Sequence, residues 1–139
     1  MSTTYTTTPA TTTTAPSVGS LLRTGAVATV LAAGATAVVA TAGQAVGISL
    51  AVSGAPIPPS GFAMLTVIFS VLGLFIALGL RRFAGRPRTA WIRTTVALTV
   101  LSLVPDVLAD ADTSTKALLM ATHVVAAAIV IPAVARRLS

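Results

Sequence analysis

With 139 residues, 55% of them hydrophobic and 9% charged, and a mean hydropathy of +0.94, the chain has too little polar surface to cover a water-soluble globule. Its net charge of +6 would suit nucleic acid in a soluble protein. Here, however, the arginines flank apolar runs without the interleaved aromatics of a base-stacking surface, which excludes nucleic acid and makes anionic lipid headgroups the expected partner. The absence of cysteine removes disulfides, thiolate metal sites and thiol nucleophiles together.

Residues 1–22 form a Thr/Pro/Ala-rich tail (TTYTTTPATTTTAPS) with almost nothing apolar to bury, and the expectation is disorder. Residues 23–139 read as one transmembrane domain. Its first span is expected at about 24–51. Ala28, Ala32, Ala33 and Ala37 recur there at three- and four-residue spacing, and Gly43 and Gly47 make a GxxxG, so this helix is suited to close backbone approach. Arg23, the apolar run after it and Ala40-Thr41-Ala42 also outline a signal peptide, but the preceding tail and the apolar run are both too long for one. Pro56, Pro58 and Pro59 in SGAPIPPSG forbid a continuing helix. The second span, about 61–80, matches the hydrocarbon core at about 30 Å of helical rise.

A compact basic loop, RRFAGRPRTAWIR, separates this span from the third, at about 90–109, with Trp91 placed for the interfacial belt. The fourth span, about 117–135, ends in Arg136 and Arg137. Runs this long, without apolar/polar alternation, are helices rather than barrel strands. The expected fold is therefore all-α: an integral membrane four-helix up-down bundle. Of the nine cations, all but Lys116 fall on one side of it. The positive-inside rule then puts both termini in the cytoplasm of a multi-pass plasma-membrane protein. Arg81, Arg82, Arg86, Arg88, Arg93, Arg136 and Arg137 are the expected headgroup contacts.

The only acidic residues, Asp106, Asp110 and Asp112, close the third span, and the only histidine, His123, lies about two turns into the fourth. In an antiparallel hairpin Asp106 and His123 come to similar depth, roughly 9 Å in by helical rise. An ionisable group there costs on the order of 2.5 to 3.5 kcal/mol at a span centre and is usually paired. These four residues form a candidate polar intramembrane site. A structural clamp is the first reading. A proton or cation site with Asp110 as an outward relay is the second, since imidazole titrates near neutral pH. The Asp-x3-Asp-x-Asp spacing matches no specific metal pattern, and Ser102 lies a turn too deep for a triad with His123 and Asp106, so no catalytic or metal residues are expected. Pro105 and Pro132 each free a carbonyl one turn earlier and introduce a bend.

SGAPIPPSGF, GRPRTAW, LSLVPDVLADADTSTK and HVVAAAIVIPAVARRL together resemble an uncharacterised family of small actinobacterial four-helix membrane proteins, over about Gly25 to Leu138. The resemblance implies four spans and brings no activity, cofactor or catalytic residue. The reading is a non-enzymatic structural or accessory component of the cell envelope without a cofactor, compatible with a homo-oligomer or envelope partner proteins. The alternative is a small transport or proton/cation-coupled component built on the Asp/His site.

Overall fold

The computed structural model describes Met1 and residues 16–138. The Thr-rich stretch at 2–15, where a disordered tail is expected, and Ser139 lie outside the described residues. Four helices run in chain order, α1 (Val18–Ala45), α2 (Pro59–Phe83), α3 (Pro87–Leu108) and α4 (Thr113–Ala135), with a two-stranded hairpin, β1 (Ala51–Val52) and β2 (Ala55–Pro56), between α1 and α2.

The first helix is displaced from its expected span at both ends. Ser17 caps it, its hydroxyl accepting from the Ser20 N–H at 3.1 Å, so Val18 to Leu22 are helical instead of belonging to the tail. At the other end the chain stops at Ala45 rather than Ala51. Gly47 takes φ +89°, its N–H donates to the Gln44 carbonyl, and the Ile48 N–H donates to Gly43 at 2.9 Å. These two bonds make a Schellman closure, which needs the left-handed conformation that glycine adopts without strain. Gly47 is thus a stop signal, not half of a helix-packing motif. Beyond it, Ser53 (φ 51°) and Gly54 (φ 77°) form the tight turn of the hairpin, which pairs Val52 with Ala55.

The prolines set the remaining boundaries. Pro59 and Pro87 each occupy the first turn of a helix, where a missing N–H costs nothing. Consequently the expected basic loop of residues 81–93 is mostly helix, with only Ala84 to Arg86 as a connection. Both α3 and α4 continue through their internal prolines, Pro105 and Pro132.

The helices pack as an antiparallel ring. At one end Leu21, Ala77, Trp91 and Val134, one from each helix, share a cluster; at the other, Ala40, Leu50, Phe62 and Leu118 do. α1 is the most heavily packed element, lying along α2 and α4, whereas α3 leans on α4 and meets α2 over a smaller area. The buried face of α1 is built from small residues, Gly25, Ala28, Thr29, Ala32, Ala33, Thr36, Ala40 and Gly43, which lets its neighbours approach closely. Val30, Val38, Phe75 and Leu101 are exposed on the outside of the bundle. A continuous apolar exterior on helices this long suits hydrocarbon as solvent.

Two glycines of α1 test this packing. A Cβ at Gly25 would collide with the Leu74 side chain, whereas one at Gly34 would meet nothing within 4 Å. Gly25→Ala is expected to cost about 1 to 3 kcal/mol and Gly34→Ala to gain up to about 1 kcal/mol, read as opposite shifts in thermal midpoint of the detergent-solubilised protein.

Candidate functional site

Asp106 and His123 meet across the α3–α4 seam. Asp106 is on the last turn of α3 and buried, 7% exposed, and its Oδ2 stands 2.8 Å from His123 Nδ1. The same nitrogen is 3.1 Å from the Leu119 carbonyl, one turn back on α4. A single N–H cannot point along both directions. With the proton on Nδ1 it is aligned on Leu119, and Oδ2 is left with no donor in line among the described residues. The contact with Asp106 is thus a close approach of ring nitrogen and carboxyl oxygen rather than a linear hydrogen bond. The His123 side chain keeps 37% of its surface, because its other edge opens into a cavity.

Asp110 and Asp112 do not join the pair. Asp110 is exposed, and its backbone carbonyl accepts from the Ser53 N–H at 2.7 Å, tying the hairpin to the α3–α4 connection. Asp112 takes the N-cap position of α4 without a side-chain capping bond. Among the described residues no three His, Asp or Glu side chains converge on one point. The Ser102 hydroxyl donates to the Thr99 carbonyl at 2.7 Å, so it is not presented to His123.

The cavity, about 380 Å³, lies between α2, α3 and α4, where α2 and α3 meet least. It runs from Phe62 near the hairpin end to Trp91 and Ile131 near the other, and its walls are mainly Leu, Ile, Phe and Ala. One file of hydroxyls descends the α3 wall, since Thr95, Thr99 and Ser102 sit one above another, in line with Asp106, at the spacing of a single helical face. Each donates to its own helix: Thr95 to Trp91 O (2.7 Å), Thr99 to Thr95 O (2.8 Å), Ser102 to Thr99 O. The i, i+4, i+7, i+11 spacing of these residues is legible in the sequence, whereas the face of α3 that turns inward is not. Trp91 is a second correction. It is 1% exposed, with its indole N–H donating to the Ile131 carbonyl at 3.0 Å, and Gly73 leaves room for its ring. Its polar edge is thereby satisfied inside the bundle instead of at the lipid interface.

The cations gather at the Trp91 end. Arg81 and Arg82 end α2, Arg86 lies in the connection, and Arg88 and Arg93 begin α3. Arg137, just beyond α4, donates from Nε to the Thr24 hydroxyl at 3.0 Å, and Arg136 and Arg23 share this end. Arg82 stacks on Phe83, 5.5 Å from the ring centre. The three aspartates and Lys116 sit at the opposite end.

Four antiparallel helices, each long and apolar enough to cross a bilayer, define a four-span membrane protein with an Asp–His contact between α3 and α4 and a cavity beside it. The chain belongs to a family of unknown function, DUF6069, whose sequence model matches residues 16–139. No curated protein and no solved structure gives a match.

The off-line geometry of the pair makes its two halves unequal. His123→Ala removes both the Leu119 bond and the ring packed against the buried Asp106 carboxyl and is expected to cost about 1 to 3 kcal/mol, whereas in Asp106→Ala the imidazole keeps its Leu119 bond and the cost is smaller. The double mutant is expected to cost less than the sum of the two singles. Thermal midpoints in detergent for the three variants check this, and strict additivity would show that the two residues act independently.

Proposed function

We infer that this protein is a non-enzymatic structural or accessory component of the cytoplasmic membrane, with both termini and the arginine-rich end facing the cytoplasm. One observation carries the first half of this reading: most polar side chains around the Asp106–His123 contact are bonded to backbone carbonyls of their own helix. His123 is bonded to its own helix and set against Asp106, the hydroxyls of the α3 wall return to α3 carbonyls, and among the described residues no nucleophile, base and oxyanion donor converge. The charge division supports the second half. Eight arginines crowd one end, where on the order of 1 kcal/mol each is available from anionic headgroups, and that end is cytoplasmic by the positive-inside rule.

The transport reading keeps one supporting observation, that a titratable residue, His123, lines an internal space. Against it, the hydroxyls beside His123 offer no continuous line of free donors. Purified protein in liposomes under an imposed pH gradient distinguishes the two. The structural reading expects proton entry equal to that of His123→Ala, and a flux abolished by that substitution would establish proton coupling instead.

Orientation has its own test. Cysteines introduced at Ser53 and Ser114 are expected to react with an impermeant thiol reagent in intact cells, and one at Thr89 is not. Labelling confined to Thr89 would invert the orientation. Replacing Arg81, Arg82, Arg86 and Arg88 by Gln is expected to give a mixed population in the same assay, because the cations are the orienting signal.

A further inference from the structure

The geometry points to the α2–α3–α4 cavity as a binding site for one long-chain lipid bearing a single hydroxyl head, an alcohol, whose O–H donates to His123 Nε2 and whose chain runs toward Trp91. The cavity's volume of about 380 Å³ falls within the range of small-molecule sites, roughly 300 to 1,000 Å³. It lies at the depth of the hydrocarbon and is half-open, at the seam where α2 and α3 meet over little area. A ligand therefore enters sideways from the bilayer without crossing a polar surface.

The walls select the ligand's chemistry. Ser and Thr hydroxyls reach the cavity, but on α3 and α4 their protons are already given to backbone carbonyls, by Thr95, Thr99, Ser102 and Thr122, so the long wall behaves as apolar surface. Two groups are exceptions, the Ser70 hydroxyl on α2, which has no partner among the described residues, and His123. Its Nδ1 is engaged by Leu119 and Asp106, which leaves Nε2, with no partner among the described residues, as the one ring nitrogen that a ligand in this cavity can reach. Two neutral hydrogen-bonding groups, His123 Nε2 and the Ser70 hydroxyl, on otherwise apolar walls match a single-chain amphiphile with one uncharged hydroxyl. A phosphate or sulfate head fits poorly, because the cations lie at the opposite end of the cavity and Asp106 is adjacent to His123. From His123 to Ile131 the wall measures about 12 Å by helical rise, so a chain held at His123 brings its end to the indole.

Trp91 is the only tryptophan and reports on the site directly. A terminally brominated dodecanol, titrated into the purified full-length chain in detergent, is expected to quench Trp91 fluorescence saturably. Brominated phosphatidylcholine, which carries the same quencher in bulk lipid, is expected to quench it little, since the indole is shut off from the exterior. The brominated alkane without the hydroxyl is expected to bind about threefold to tenfold more weakly, the loss of one hydrogen bond, and His123→Ala is expected to remove that difference. Ser70→Leu and Ala126→Leu fill the cavity from opposite walls, and each is expected to weaken quenching by roughly tenfold while leaving the emission maximum of Trp91 in place. A variant whose emission shifts to the red is set aside in favour of the other, and the comparison of alcohol with alkane in the unaltered chain requires no variant. Non-saturable quenching, quenching equal to that by phosphatidylcholine, or equal affinity of alcohol and alkane would overturn the assignment.

Discussion

In hydrocarbon a peptide N–H or C=O has no water to bond, so each must be satisfied within the protein. That constraint governs what this chain builds. It makes every apolar run a helix, and it makes each helix end a problem solved by a specific device: the Ser17 cap, the Gly47 closure, and Pro59 and Pro87, which have no N–H to satisfy. The small hairpin serves the same end, pairing backbone between α1 and α2 and passing one N–H, that of Ser53, to the Asp110 carbonyl of the facing connection. Many side chains follow the rule as well: Thr29, Thr66 and Thr99 turn back on their own carbonyls and the single indole reaches Ile131, whereas Thr115 Oγ1 and Asp106 Oδ2 stay buried without a partner among the described residues.

The cavity follows from unequal packing. With no hydrophobic drive between helices in lipid, association rests on close contact. The small-residue face of α1 supplies it, drawing α2 and α4 inward; Gly25 admits Leu74 and Gly43 admits Leu118. α3 has no comparable face. It presents Trp91, three hydroxyls and Asp106 instead, attaches to α4 through the indole bond and the His123 contact, and stands off from α2. The space by that seam is the counterpart of the tight seams around α1, and the polar pair is what fixes α3 at the hairpin end.

The Asp106–His123 contact shows how depth and orientation carry different information. Chain position brings the two residues to the same level once α3 and α4 are antiparallel. Which ring nitrogen faces which acceptor depends on the rotation of α4 about its axis, and that rotation gives the Nδ1 proton to Leu119 and leaves the carboxylate oxygen beside it. Asp110 and Asp112, close in sequence, fall on the connection, where water is within reach and no partner is needed.

The number of helices, their antiparallel order, hydrocarbon as the solvent and the gathering of arginines at one end were all determined by the sequence alone, because hydropathy, proline and charge act locally and add along the chain. The tertiary structure decided which way each helix faces. In water an amphipathic stripe declares the buried side, but in a bilayer both the inward and outward faces are apolar, and periodicity carries little signal. Trp91 could therefore be given to the interface when it belongs to the interior, and the file of Thr95, Thr99, Ser102 and Asp106 could go unnoticed. The helix ends shifted for a related reason: Gly47 is compatible with continuing or closing a helix, and only the bonds formed by Gly47 and Ile48 in the folded chain select closure.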